Sequence, residues 1–316
     1  MQHPIAQFLA AQRALVIDGG LSTALEAKGL QLNDPLWTAR VLLEAPERIR
    51  EVHYDYYCAG ANIAITATYQ ASLDGFARRG LDKAAALRAM RHAVELAKSA
   101  RDQVLAERAL DSHHLLVAGS VGPYGAYLAN GAEYRGDYQR SRQALRDFHA
   151  PRMDALKEAG VDLLAVETQP KGEEIALLVE MAAERDLPLW VTMTLNDAGN
   201  ALPDGTPLRS IAQLLESALN VEAAGFNCVR REQVAPALAA LRAHTAKPLI
   251  VYPNGGRIWN AELKRWEGEA HEHPAGWAHY VPLWSRCGAR LIGGCCCTLP
   301  RDIQQIAELL AQDASN

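Results

Sequence analysis

Leu291-Ile292-Gly293-Gly294-Cys295-Cys296-Cys297-Thr298-Leu299-Pro300 joins an apolar run, a pair of glycines and three consecutive thiols. Leucine and isoleucine favour a strand, the glycines permit a sharp turn, and proline suits the first turn of a helix. The stretch therefore predicts a strand, a turn and then a helix beginning near Arg301. It also places the thiols at the carboxyl end of the strand.

Seven other apolar runs precede this one, and helix-length segments such as 46–59 and 84–107 lie between them. The predicted strands are 14–17, 62–66, 115–119, 163–166, 189–193, 226–228, 249–252 and 291–292. Continuous apolar runs are typical of parallel strands buried on both faces. Eight such units predict the α/β class, with residues 1–316 forming one (β/α)8 TIM-barrel domain. A doubly wound sheet is the alternative, although its G-x-G-x-x-G fingerprint does not open the first helix.

Composition narrows the possible partners. The chain has 316 residues, is 49% hydrophobic and has a formal net charge of -5, so it lacks the basic surface of a nucleic-acid binder. Its apolar runs are too short to span a membrane, and Met1–Ala6 has no signal-peptide pattern. We therefore expect a cytoplasmic protein with no nucleic-acid or membrane partner.

Six cysteines are too few for a disulfide scaffold, and Cys58 and Cys287 are predicted to be packing residues within helices.

Polar residues follow each predicted strand. Because catalytic groups of such barrels lie at the carboxyl ends of the strands, these residues are the site candidates. They are Asp18, Thr66 with Tyr69, Ser120, Glu167, Thr194, Cys228, Asn254, Cys295 and Cys296. Ordinary turns are also polar, which explains Thr194 and Asn254 equally well.

The thiols indicate a metal site. Neighbouring cysteines rarely bridge to each other, because disulfide geometry strains them. Zinc accepts thiolates in tetrahedral geometry, and a catalytic zinc keeps one position open. Cys228 ends another short strand, so we predict a zinc ion held by Cys228, Cys295 and Cys296. Cys297 is predicted to be a spare thiol that points into the helix start; the alternatives for it are a replacement metal ligand or a thiol prone to oxidation. For the whole group, the alternative is that the cysteines are core thiols.

Several motifs together resemble the homocysteine S-methyltransferase family over nearly the whole chain. They are Asp18-Gly19-Gly20, TATYQ at 66–70, GSVGPYG at 119–125, VET at 166–168, DGTP at 204–207, FNC at 226–228, YPN at 252–254 and GGCC at 293–296. The likeness looks strongest to the bacterial branch that uses S-methylmethionine. It implies a zinc ion that binds the homocysteine sulfur, and methyl transfer from S-methylmethionine or S-adenosylmethionine to give methionine.

Glu167 and Asp18 are the predicted catalytic and substrate-binding acids. Glu167 ends an apolar run, where a buried carboxylate needs a cation. That cation is either the substrate ammonium group or an internal Arg or Lys. The backbone N–H groups of Gly19 and Gly20 can bind a carboxylate, although a plain turn fits the same residues. The resemblance adds Thr68 and Asn254 as substrate contacts.

Two long connections, 124–138 and 255–274, are predicted to cover the active site. Tyr124, Tyr127 and Tyr134 in the first either face the donor cation or pack the loop. His271 and His273 in the second are predicted to be solvated. Two other functions remain open, namely a betaine-dependent homocysteine methyltransferase and a zinc or thiol barrel without catalysis.

Overall fold

The computed structural model describes residues 3–32, 38–110, 114–256, 258–260, 265–267 and 276–315. The strands are β1 Leu15–Val16, β2 Ile63–Ile65, β3 Leu116–Val121, β4 Leu163–Gln169, β5 Leu189–Met193, β6 Val221–Asn227, β7 Leu249–Tyr252, β8 Ile258–Asn260, β9 Arg265–Glu267 and β10 Ala289–Ile292. The helices are α1 Pro4–Ala11, α2 Leu21–Ala27, α3 Thr38–Glu44, α4 Pro46–Cys58, α5 Leu73–Ala77, α6 Lys83–Arg108, α7 Tyr124–Leu128, α8 Ala132–Arg135, α9 Arg142–Glu158, α10 Gly172–Glu184, α11 Leu208–Ser217, α12 Arg231–Arg242, α13 Trp277–Arg286 and α14 Pro300–Ser315.

Eight parallel strands form one sheet in the order β1-β10-β7-β6-β5-β4-β3-β2. A parallel bridge between Ile17 and Ile63 joins the two ends of this order, so the sheet curls into a barrel. Helices connect successive strands, as parallel pairing requires. The predicted (β/α)8 TIM barrel is confirmed.

The predicted strands all form, and the largest differences in length are at β4, which continues three residues beyond its predicted end to Gln169, and at β6. Strand β6 begins at Val221, five residues before the predicted start, because Glu222 interrupts the apolar run. The Glu222 carboxylate accepts the N–H of Ala6 at 3.1 Å, where α1 covers the amino end of the barrel. A charged residue can therefore occupy this strand without breaking it.

Part of the connection predicted at 255–274 forms an antiparallel hairpin of β8 and β9, in which Trp259 lies opposite Trp266. His271 and His273 lie outside the described residues.

Alternation along the strands separates an inner core from an outer one. The inner cluster consists of Ile5, Phe8, Leu15, Ile17, Ile63, Leu116, Ala118, Leu163, Ala165, Trp190, Ala223, Ile250, Tyr252 and Leu291. Residues of opposite parity, such as Leu164 and Val166, pack outward in the larger cluster beneath the helices. Because side chains alternate along a strand, the next inward positions beyond this apolar layer are Ser120, Glu167 and Thr192. The barrel thus ends in a polar layer at its carboxyl mouth.

Strands β6 and β7 approach closely at Gly225. A Cβ atom added there would lie 1.8 Å from the Ile250 carbonyl oxygen. A side chain at this position would push the two backbones apart. Gly225 therefore fixes the spacing of the strand that leads into Cys228.

The long helix α6 has 26 residues and begins with a side-chain cap, in which Asp82 accepts the N–H of Ala85 at 2.7 Å.

Among the described helices, none is both long and apolar enough to cross a membrane.

Candidate active site

A cavity opens at the carboxyl ends of the strands. Its lining is Asp18, Gly19, Gly20, Leu21, Ser22, Ile65, Thr66, Ala67, Tyr69, Gln70, Glu133, Tyr134, Glu167, Thr168, Cys228, Tyr252, Gly294, Cys295 and Cys296. Most of these residues follow strands, as the barrel prediction required. Glu133 and Tyr134 come instead from α8, in the covering segment predicted at 124–138.

Three thiols form one cluster in this cavity. The Sγ atom of Cys228 lies 3.0 Å from that of Cys295 and 3.7 Å from that of Cys296. The Sγ atoms of Cys295 and Cys296 are 4.0 Å apart. Tetrahedral zinc with bonds of about 2.3 Å places its sulfur ligands about 3.8 Å apart. Two separations match that spacing, and the shortest is still far longer than a disulfide bond.

The charges of the thiols depend on one another. Hydrogen bonds from Cys295 and Cys296 lower the pKa of the Cys228 thiol well below its ordinary value. Hydrogen bonding to Cys228 raises the pKa of the Cys295 and Cys296 thiols. All three become thiolates together only when a cation compensates their charge. Among the described residues, these three cysteines are also the ones whose ligand atoms are grouped closely enough to hold a metal ion.

The end of β7 holds both cysteine turns. The N–H of Cys228 donates to the Tyr252 carbonyl at 3.3 Å, and that of Cys295 donates to the Pro253 carbonyl at 2.9 Å. The Gly255 N–H donates to the Cys296 carbonyl at 2.7 Å. The YPN motif therefore positions the thiols through its backbone.

Asn254 is not one of the residues that line the cavity. Its N–H donates to the Val229 carbonyl at 3.1 Å, so it braces the turn that follows Cys228. The side-chain oxygen Oδ1 of Asn254 is buried without a hydrogen-bond partner among the described residues, so its role as a substrate contact stays a prediction.

The other cysteines lie outside the ligand group. Cys297 has a φ of +63°, and its N–H donates to Thr23 Oγ1 at 2.9 Å. Cys287 is partly buried and packs against the core. Cys58, the last residue of α4, is exposed, so its prediction as a packing residue is wrong. A helix end turned to solvent is not visible in local sequence.

Asn227 holds a strained residue at the cavity. Thr168 has a φ of +58°, which is costly for a β-branched residue. The Asn227 side chain accepts the Thr168 N–H at 2.7 Å and donates to its hydroxyl at 2.8 Å. The FNC motif thereby fixes both Cys228 and the VET motif.

Glu167 is buried in the polar layer and accepts a hydrogen bond from the Ser120 hydroxyl. Burial raises its pKa to about 7, and the charge of Cys228 adds to the rise, while hydrogen bonds from Ser120 and Tyr252 oppose it. No ion pair to Glu167 is found among the described residues. The predicted internal Arg or Lys partner is therefore absent from that part of the chain.

Asp18 lies in the same cavity. Its carboxylate accepts the Ile65 N–H at 2.8 Å, yet burial raises its pKa well above the ordinary value. The Gly20 N–H already donates to Thr298 Oγ1 at 3.0 Å. A Cβ atom on Gly20 would lie 2.6 Å from the Cys295 carbonyl oxygen, so this turn packs backbone to backbone against the thiol turn.

Thr68 lies behind the cavity wall and is fully buried. Its hydroxyl donates to the Ser120 carbonyl at 2.8 Å and lies 2.8 Å from the Thr66 hydroxyl. Its predicted role as a substrate contact is not supported by this position. It supports Ser120, which in turn contacts Glu167.

The covering segment contains a carboxyl group that the sequence did not reveal. Glu133 is 7% exposed, and burial raises its pKa to about 7. The neighbouring Tyr134 hydroxyl donates to Cys228 Sγ at 3.5 Å. In sequence, Glu133 resembles any surface acid, and only its position under the loop distinguishes it.

Tyr124 and Tyr127 are not among the residues that line the cavity, so for these two the structure favours the loop-packing alternative. Arg140 lies 4.8 Å from the Tyr124 ring centroid, and Arg78 lies 4.6 Å from that of Tyr127. These two rings pack against each other and against Phe148, and Tyr134 alone of the three lines the cavity.

A buried polar network lies beneath the covering segment, and the sequence did not predict it. Arg152 donates to the Tyr69 and Gly122 carbonyls, each at 2.7 Å. His149 lies 2.8 Å from a Glu174 carboxylate oxygen, and that oxygen accepts the Tyr124 N–H at 2.7 Å. The network fastens the loop to α9 and α10.

Comparison with known proteins identifies the class and then the family. A sequence profile described as homocysteine S-methyltransferase matches residues 15–310. The chain is an enzyme of the methyltransferase class and belongs to the homocysteine S-methyltransferase family.

Individual relatives cover nearly the whole chain. It is 51% identical to the homocysteine S-methyltransferase of Escherichia coli strain K12, over 95% of this chain and 96% of that protein. It is 44% identical to homocysteine S-methyltransferase YbgG of Bacillus subtilis strain 168, over 96% and 97% of the two chains. The crystal structure of the homocysteine methyltransferase MmuM from Escherichia coli in its metallated form matches with a TM-score of 0.86 and 48% identity, covering 98% of this chain and 99% of that one.

The raised pKa of Glu167 predicts how stability changes with pH. The folded protein holds this proton up to about pH 7, whereas an ordinary glutamate loses it near 4.5. Between these values the unfolded state binds fewer protons, so wild-type stability falls as pH rises. Glu167→Gln removes this effect. As the pH rises from 4 to 8, its free energy of unfolding should increase relative to that of wild type by on the order of 3 kcal/mol.

Urea unfolding of metal-free, reduced protein at several pH values measures the difference. Glu158→Gln, an exposed acid on α9, is the matched control and should follow the wild-type pH profile. Parallel profiles for wild type and Glu167→Gln would contradict the raised pKa.

Proposed function

We propose that this enzyme transfers a methyl group from a sulfonium donor to the thiol of homocysteine, producing methionine. S-methylmethionine is the proposed main donor, and S-adenosylmethionine is a second. The observation that carries the proposal is the cluster of Cys228, Cys295 and Cys296 at the wall of a cavity that also contains two acids predicted to bind substrate. The acceptor is taken from the names of the relatives.

The proposed metal is zinc, held by Cys228, Cys295 and Cys296. Sulfur-only donor sets suit zinc, and the sulfur spacing described above fits it. Bound zinc would supply Lewis acidity at its open coordination position. This lowers the pKa of an incoming thiol, so that homocysteine is held as its thiolate. Since thiols must stay reduced for this role, we place the enzyme in the cytoplasm.

The acceptor amino acid is proposed to bind across two strand ends. Glu167 receives its ammonium group, because a buried carboxylate with raised pKa is stabilised by a cation. The turn of Asp18 and Gly19 is the proposed carboxylate site. Gly19 N–H is the proposed donor, since that of Gly20 is already donated to Thr298.

Charge balance favours a sulfonium donor. The acceptor sulfur forms a bond to the methyl carbon while the bond from that carbon to the donor sulfur breaks. The electron pair of the broken bond stays on the donor sulfur, which becomes neutral, and the thiol proton has already left to solvent. A cation and a thiolate therefore become two neutral thioethers without a further cofactor. The chain's part is to orient the two sulfurs and to hold both amino acids in the cavity.

The first test concerns the metal ligands. Cys228→Ser, Cys295→Ser and Cys296→Ser should each lose stoichiometric zinc, because two thiolates leave an incomplete donor set. Atomic spectroscopy of purified protein measures this. Cys297→Ser is the control and should retain zinc, since its sulfur does not belong to the group of three thiols that could hold the metal. Zinc retained by Cys296→Ser would show that the ligand set is wrong.

The second test concerns homocysteine. Zinc-loaded Glu167→Gln should bind it more weakly by about 2 to 5 kcal/mol, because a buried charge pair is lost. Calorimetry at pH 8, where the wild-type acid is ionised, measures the affinity, and Glu158→Gln should match wild type. If Glu167→Gln binds homocysteine with unchanged affinity, Glu167 does not bind the ammonium group.

The third test is a competition among S-methylmethionine, S-adenosylmethionine and betaine at equal concentration, each with a distinct methyl label. Most labelled methionine should come from S-methylmethionine. Transfer mainly from betaine would overturn the donor assignment. No transfer from any donor by zinc-loaded protein would favour a barrel without catalysis.

A further inference from the structure

Three carboxyl side chains line the cavity, and they differ in how their oxygens are satisfied. Asp18 accepts a backbone N–H, and Glu167 accepts the Ser120 hydroxyl. The Oε2 atom of Glu133 is buried and has no hydrogen-bond partner among the described residues. A buried carboxylate oxygen with no partner is costly, so this atom points to a ligand that supplies the missing contact.

No basic side chain in the described ranges forms an ion pair with Glu133. Arg135, two residues further along α8, is exposed and pairs with Asp137 at 2.7 Å. Arg152 donates to backbone carbonyls and contacts His149 at 2.9 Å. A cationic ligand would therefore compensate the negative charge of Glu133.

Glu133 also lies near the place where the reaction occurs. Glu133 directly precedes Tyr134 on α8, and both residues line the same cavity as Cys228. Tyr134 donates to Cys228 Sγ, so α8 touches the thiol cluster directly. Tyr69 and Tyr134 both line the cavity.

We propose that Glu133 is the counter-ion of the donor's sulfonium group, with the Tyr69 and Tyr134 rings beside the cation. This assignment rests on the proposed function, and it separates the donor from the acceptor. Glu133 comes from α8, whereas Asp18 and Glu167, which are assigned to homocysteine, come from the ends of β1 and β4.

The proposal has a kinetic signature. The sulfonium charge disappears as the carbon–sulfur bond breaks, so Glu133 interacts most strongly with the donor before transfer. Removing its charge therefore weakens donor binding and does not slow the chemical step. The loss of the sulfonium charge also favours release of the demethylated donor, because this neutral thioether no longer pairs with the carboxylate.

The experiment compares Glu133→Gln, Glu133→Asp and the exposed-acid control Glu308→Gln, all zinc-loaded, with S-methylmethionine and with trimethylsulfonium. Glu133→Gln should raise KM for both donors roughly 10- to 100-fold, with kcat little changed. Glu133→Asp should recover most of the loss, and Glu308→Gln should match wild type. Trimethylsulfonium has no ammonium group, so a shared rise assigns the contact to sulfur.

Calorimetry of trimethylsulfonium binding to the zinc-loaded protein without homocysteine, where no methyl acceptor is present, gives a readout that does not need turnover. Weaker binding to Glu133→Gln than to wild type supports the proposal even if wild type makes no methionine, a result that would sink only the proposed function. Equal binding and equal KM in the two proteins would overturn the proposal. So would a KM rise confined to S-methylmethionine, or loss of zinc or homocysteine binding in Glu133→Gln.

Discussion

Two backbone hydrogen bonds at the end of β7 control the thiol cluster. They connect Tyr252 and Pro253 to the amide groups of Cys228 and Cys295, which come from neighbouring strands on either side. Because parallel strands of a closed barrel end at one mouth, short turns suffice to bring distant cysteines together. A shift of β7 would separate the sulfurs and remove the metal-binding geometry.

The same mouth concentrates negative charge where little water reaches it. Burial raises the pKa of Asp18, Glu167 and Glu133, so each carboxylate is destabilised by its surroundings. Such groups reduce folding stability unless ligands compensate them. The proposed chemistry supplies three kinds of positive charge: the metal ion, the ammonium group and the sulfonium. Burying these carboxyl groups thus lowers the stability of the free protein and strengthens its binding of cationic ligands.

The covering segment depends on a second buried network. Glu174 is fully buried, yet hydrogen bonds from His149 and Tyr138, and from the Tyr124 N–H, hold its pKa below the ordinary value despite burial. A satisfied network of this kind fixes one loop conformation. It therefore determines where α8 places Glu133 and Tyr134 over the thiols.

Much of this arrangement was predictable from the sequence. Apolar runs of strand length gave the eight units, and strand-end chemistry gave Cys228, Cys295, Cys296, Glu167 and Asp18, because both signals are local in the chain. The tertiary structure alone decided the rest. It buried Thr68 behind the cavity wall and put an ordinary-looking acid, Glu133, into the cavity. Whether a polar side chain faces a ligand or a neighbouring backbone depends on contacts between segments far apart in sequence, and local residue patterns carry no record of those contacts.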